Sequence, residues 1–173
     1  MLIILSGLPG TGKTTISKAL ASKRAAAYVR VDEIEQALSR CGDPAIGVKG
    51  YAVAYAIASS NLLLGLEVIA DSANPVEESR IGWRTVATQV NAPFLEIEIV
   101  CTDLIEHRRR VETRSADIAG HQPPSWGAVT SKEYAIWATD RVLVDTAKIN
   151  VDQAVASIEA HLAAVRKNVA SPV

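Results

Sequence analysis

The sequence predicts an α/β protein, a three-layer sandwich with a parallel sheet between two layers of helices. Three observations predict it. Short runs rich in Leu, Ile and Val alternate five times with helical stretches, which implies parallel strands joined by helical crossovers. The first run ends in a glycine-rich turn that opens directly onto a helix. The 173 residues, 49% hydrophobic and 21% charged, show no composition break long enough for a linker, so a single domain over 1–173 is expected. Aromatics are only 5%, so the core must come mainly from Ala, Val, Leu and Ile.

Residues 1–5 form an apolar run ended by Ser6-Gly7 and read as a buried first strand. A helix opens at Gly12-Lys13 and continues through Ile16, Leu20 and Lys23. A second strand at 27–31 leads into a helix from Asp32 to about Arg40, where Asp32 and Glu35 have N-cap and partner spacing. Residues 41–44 (Cys-Gly-Asp-Pro) read as a turn. Residues 49–64 are apolar nearly all round and end at Gly65, a C′ glycine. The third strand is 66–70. Asn74, Pro75 and Glu77 then read as N-cap, N1 proline and capping-box partner of a helix to about Val90.

The fourth strand, 94–100, alternates Glu96 and Glu98 with Leu95, Ile97 and Ile99, which places it towards a sheet edge with one solvated face. A helix spans 103–114, and Gly120 with Pro123-Pro124 marks 115–127 as a loop. Thr130 and Glu133 predict a short helix to about Thr139, followed by a fifth strand at 141–145. Asn150 and Gln153 cap a last helix whose apolar stripe is Val151, Val155, Ile158, Leu162 and Val165.

Eighteen Lys and Arg against nineteen Asp and Glu leave a net charge of −1, which argues against a nucleic-acid partner drawn by a global field. Cys41 and Cys101 stand in no metal or redox spacing and read as buried thiols. The apolar start lacks a basic n-region, and no run of about 18 apolar residues occurs, so a cytoplasmic protein without a membrane partner is expected. A monomer or homodimer is expected.

Gly7-Leu8-Pro9-Gly10-Thr11-Gly12-Lys13-Thr14 fits G-x-x-x-x-G-K-[ST] at every specified position, between a strand and a helix as its mechanics require. Glycines let successive N–H groups turn inward onto phosphate oxygens, and the helix adds its positive end. Gly7, Pro9, Gly10, Thr11, Gly12, Lys13, Thr14 and Thr15 are the expected nucleotide contacts, with Lys13 on the β- and γ-phosphates and Thr14 on Mg²⁺.

Two acids follow strands two and three, Asp32 and Asp71, where strand carboxyl ends line the ligand crevice of parallel sheets. Asp32 is a candidate base for a substrate hydroxyl or a metal positioner; Asp71 reads as a metal-side acid, a substrate contact or a turn residue. Arg110 and Arg114 share a helix face and lead into the loop 115–127, placed to close over ATP. Arg80 and Arg84, also four apart, could face an acidic substrate, although Glu77 explains Arg80 as a surface pair.

These residues resemble the small P-loop kinases of the nucleoside-monophosphate-kinase-like group, a family that includes gluconate, shikimate and adenylylsulfate kinases, chloramphenicol phosphotransferase and zeta toxins. The resemblance rests on Gly7–Thr14, Val31-Asp32, Arg110–Arg114 and Val144-Asp145-Thr146. It implies a five-stranded sheet of order 2-3-1-4-5, a lid at about 115–127, ATP with Mg²⁺, and adenine near 144–146. It further implies that Asp32 meets the acceptor hydroxyl or the metal and that Arg110 and Arg114 act as lid arginines. Adenylylsulfate kinases carry D-G-D-N where this chain has Val31-Asp32-Glu33-Ile34, which argues against that activity.

The expected function is therefore phosphoryl transfer from ATP to a hydroxyl of a small molecule. An ATPase or nucleotide switch with a protein partner is one alternative, a polynucleotide 5′-hydroxyl kinase the other.

Overall fold

The computed structural model describes residues 1–42 and 45–170, so the second half of the turn expected at 41–44 lies outside the described residues. Strands β1 (Leu2–Ser6), β2 (Ala27–Arg30), β3 (Val68–Asp71), β4 (Phe94–Val100) and β5 (Val142–Asp145) pair in parallel in the order β2-β3-β1-β4-β5. Between and after them run α1 (Lys13–Arg24), α2 (Val31–Arg40), α3 (Lys49–Leu63), α4 (Glu77–Gln89), α5 (Leu104–Thr113), α6 (Trp126–Thr130) and α7 (Val151–Ala170). This is the expected class and strand order.

The apolar runs lack polar alternation because the sheet is covered on both faces. In the central strand β1, Leu2 and Ile4 pack with Trp83, Ala58 and Leu62 beneath α3 and α4. Ile3 and Leu5 pack on the other face with Ile16, Leu20, Ile158 and Leu162 beneath α1 and α7. Side chains two apart share a face, so one five-residue strand feeds both cores.

Three local expectations are corrected. β4 lies inside the sheet, between β1 and β5. Glu96 and Glu98 are only 4% and 7% exposed, because Arg84 Nη1 meets Glu96 at 3.2 Å and Arg141 Nε meets Glu98 at 2.6 Å. Partnered carboxylates are buried where sequence alternation reads as solvent.

The helix expected at 130–139 does not form. Ser125 Oγ accepts from Ala128 N and caps α6, which ends at Thr130. The following strap crosses the start of α4, where Ala135 N donates to Pro75 O at 2.7 Å and Arg80 donates to Ala135 O and Ile136 O. A capping box is worth about 1 kcal/mol, less than those tertiary bonds together. Of the two thiols, Cys101 is buried and Cys41 is exposed.

No described helix is long and apolar enough to cross a membrane.

Candidate functional site

The loop between β1 and α1 is built on glycines that accept no substitute. Gly7 has φ +147°, and a Cβ there would stand 2.3 Å from Ile99 O. Gly10 has φ +85°, and its Cβ would stand 2.4 Å from Val111 Cγ2. Other contacts hold the loop open. Gly7 N donates to Ala73 O at 3.2 Å, and Thr146 Oγ1 donates to Thr11 O at 2.7 Å. His107 Nε2 lies 2.8 Å from Pro9 O; a carbonyl can only accept, so Nε2 carries the proton.

The loop forms one wall of a cavity of about 440 Å³. Of the expected site residues, Gly7, Pro9, Gly10, Gly12, Lys13, Thr14 and Thr15 line it, together with Asp32, Arg110 and Arg114. Thr11, Asp71 and Arg80 do not. Thr11 turns inward, 3% exposed, and donates to Leu8 O at 2.9 Å, so it shapes the loop from within.

Asp71 sits beneath the loop, 1% exposed, and is a lysine partner, not the expected substrate contact. Lys13 Nζ meets its Oδ1 at 2.8 Å and the Tyr28 hydroxyl donates to Oδ2 at 2.6 Å. Burial alone would push the Asp71 carboxyl up; the Lys13 charge and hydrogen bonds from Lys13, Tyr28 and Thr14 outweigh it and hold the carboxyl below its ordinary value. Burial and the neighbouring Asp71 push the Tyr28 phenol far up.

Arg30, at the end of β2, is 7% exposed and grips Asp117 of the loop 115–127 with both Nη atoms, at 2.7 and 3.1 Å. It also faces Asp32 at 3.7 Å and Asp71 at 3.9 Å. Lys18 reaches the same Asp117 carboxylate at 2.9 Å. The hydrogen bond from Arg30 is the largest reason the Asp117 carboxyl is held far below its usual range.

The arginines of α5 divide. Arg110 is engaged by Glu106 Oε1 at 2.8 Å and by Thr146 Oγ1 and O at 2.9 and 3.2 Å, so it ties α5 to the segment after β5. Arg114 caps the helix, lines the cavity and has no hydrogen-bond partner among the described residues. Its pKa is lowered by burial.

The reading of Arg80 as a substrate contact is corrected. Arg80 is 0% exposed, its guanidinium 4.0 Å over the Trp137 ring. Nε donates to Asn74 O at 3.1 Å, and the Nη atoms donate to Ala135 O at 2.8 Å and Ile136 O at 3.3 Å. Every edge of the guanidinium faces protein, so none can reach a ligand.

Asn74 is likewise not a cap, for α4 starts three residues later with no side-chain cap. It adopts φ 47° at 0% exposure, with Nδ2 donating to Ser6 Oγ and Oδ1 accepting from Ser72 Oγ and Trp83 Nε1. That network fixes the segment whose Ala73 carbonyl holds Gly7. Asp32, also expected as an N-cap, lies inside the first turn of α2, where Arg30 is the N-cap residue.

Sequence reasoning missed Arg30, His107, Asp117 and Lys132, singled out Thr146 only as a neighbour of adenine and not as the tie between Arg110 and the loop, and took Glu35 for a capping partner. Only Arg30 carried a signal, a charged residue at the end of an otherwise buried strand. Glu35 lines the cavity from α2, one turn beyond Asp32, and is half-buried; burial and Asp32 push its carboxyl up. Lys132 lines the same region.

Strand order, loop and buried lysine together define a P-loop protein of the nucleoside-monophosphate-kinase-like fold. The family model described as AAA domain matches residues 2–123, and the chain belongs to that family. Its fold is similar to a solved structure from Chloroflexus aurantiacus j-10-fl at 22% identity and TM-score 0.72, covering 94% of this chain and 96% of that one. A gluconokinase from Sinorhizobium meliloti 1021 is similar at 18% identity and TM-score 0.68, covering 96% and 94%. The APS kinase of Mycobacterium tuberculosis, in complex with AMPPNP and APS, is similar at 16% identity and TM-score 0.68, covering 93% and 96%. No curated protein matches the chain.

Proposed function

We propose that the protein is an ATP- and Mg²⁺-dependent phosphotransferase that moves the γ-phosphate to a hydroxyl of a small-molecule acceptor. The observation that carries this reading is that Asp32 shares one cavity with the phosphate loop, Lys13 and Thr14. Phosphoryl transfer needs a charge-stabilising cradle and a group that orients the nucleophile, and both walls are present. The gluconokinase and APS kinase that share the fold support the same class of reaction.

In this reading the loop N–H groups and the α1 N-terminus cradle the phosphates, and Lys13 turns from Asp71 to them. Arg114, with its donors free, neutralises charge from the side of the lid. Asp32 accepts a hydrogen bond from the acceptor hydroxyl and takes its proton.

The donor set fits Mg²⁺. Thr14 and Asp32 offer the oxygen ligands this ion prefers, and both line the cavity. Among the described residues no group of three or more His, Cys, Asp or Glu forms a metal cage, and Mg²⁺ on nucleotide phosphates needs none. When bound, the ion neutralises phosphate charge.

ADP release measured with MgATP against a panel of small hydroxyl compounds tests the reading. Expected is acceptor-dependent release, lowered roughly 10²- to 10⁴-fold in Asp32→Asn with nucleotide affinity kept. Fast hydrolysis that no acceptor alters would point to an ATPase or switch, and full turnover by Asp32→Asn would remove Asp32 as the base.

A further inference from the structure

Resting on that phosphotransferase reading, we propose that the acceptor is a polyol or amino alcohol without an acidic group, and that Glu35 selects it. Few cations near the cavity remain available to an anionic acceptor. Arg80 is sealed beneath the strap. Arg84 is held by Glu77, Glu96 and Thr139. Arg30 spends both Nη atoms on Asp117 and faces three further carboxylates, those of Asp32, Glu33 and Asp71. Arg110 is engaged by Glu106 and Thr146. The cavity's two other cations outside the phosphate loop are Arg114, which the phosphotransferase reading gives to the nucleotide, and Lys132, which faces Glu35 and offers a single ammonium. An acid on the acceptor would therefore have to displace an existing pair, or compete with the nucleotide for Arg114, to gain a bidentate anchor.

Charge counting agrees. Five cationic side chains and three carboxylates line the cavity, an excess of two positive charges. A magnesium-bound nucleoside triphosphate, itself about doubly negative, neutralises that excess and leaves none for a second anion.

The α2 wall offers an acceptor molecule hydrogen-bond acceptors instead. Asp32 and Glu35 stand one turn apart, and both line the cavity. Glu35 has no hydrogen-bond partner among the described residues although it is half-buried. Its stem is fixed by α3: a Cβ on Gly50 would come within 2.4 Å of Glu35 Cγ and 3.0 Å of its Oε1. A positioned carboxylate that lacks a donor accepts from an O–H or N–H of a ligand and repels another carboxylate or phosphate. Asp32 meets the reacting hydroxyl, and Glu35 meets a second donor on the same molecule.

The test uses three probes matched in size: 3-amino-1,2-propanediol, glycerol and glycerate. Their binding is followed by NMR titration of the whole protein with the magnesium complex of AMPPNP, a non-hydrolysable triphosphate, bound. Expected is glycerate weakest, by about tenfold against the amine, with the gap narrowing several-fold in Glu35→Gln. Gly50→Ala keeps both charges but displaces the Glu35 stem, and should narrow the gap in the same direction. Glycerate binding as well as glycerol, an unchanged gap in both variants, or no binding of any probe would overturn the proposal.

The phosphotransferase reading is scored separately, by phosphoryl transfer from MgATP to members of the preferred class. Transfer to a hydroxy acid would keep that reading and remove this inference. Selective binding without transfer to any member of the class would do the reverse.

Discussion

Asp71→Asn isolates the pair on which the loop lysine rests. Lys13 and Asp71 are 2.8 Å apart, with side chains 9% and 0% exposed. Removing one partner of a buried pair costs about 3–5 kcal/mol, because the other charge is left desolvated. Lys13 opens onto the cavity, and asparagine still accepts from the Tyr28 hydroxyl, so the low end applies, about 3 kcal/mol. For a chain of this length that is a fall in Tm of about 8 °C.

The deficit should shrink when phosphate replaces the lost partner. With ATPγS and no divalent ion, at about 100 times Kd, the wild type gains about 2.7 kcal/mol, and at the same ligand concentration the variant should gain more. Urea unfolding with and without nucleotide reads both effects, and calorimetry should show tighter nucleotide binding by the folded variant. An unliganded loss under about 1 kcal/mol, or equal nucleotide gains in the two proteins, would refute the dependence of Lys13 on Asp71.

Three further outcomes are expected. Gly10→Ala places a side chain at φ +85° and 2.4 Å from Val111 Cγ2, and should weaken nucleotide binding at least about tenfold in calorimetry while far-UV circular dichroism is unchanged. Arg80→Ala should destabilise by about 3–5 kcal/mol in urea, with the acceptor KM of the folded fraction unchanged; a raised KM at normal stability would return Arg80 to the site. Asp71 and Asp117 have carboxyls held below their ordinary values, so their stabilisation is present above the usual carboxylate range and lost as pH falls through the folded-state values. Urea midpoints should therefore be level from about pH 8 to 5 and fall below about 4, less steeply in Asp71→Asn.

The readings that held and those that failed differ in range. The loop was legible because eight consecutive residues carry its chemistry. The β1 and α1 patterns on either side were equally local. Asp32 was legible because a parallel sheet brings the end of β2 to the same crevice as the loop. Asn74 misled because Asn-Pro-x-Glu is a good local cap, whereas Ser6, Ser72 and Trp83 offered its amide a buried network that a cap cannot match. Glu96 and Glu98 misled in the same way, their guanidinium partners lying on α4 and just before β5.

The α/β class, the phosphate loop and the acid at the end of the second strand were all legible in the order of residues along the chain. Each is written in neighbouring residues and follows from backbone geometry and strand direction. Which charged groups remain available to a ligand depends instead on contacts made once the chain is folded. A guanidinium is free or engaged according to partners tens of residues away: Asp117 for Arg30, the carbonyls of the strap for Arg80, Thr146 for Arg110. The packing of α3 Gly50 against Glu35 was decided in the same way, by a contact between two helices that no local pattern in either one specifies.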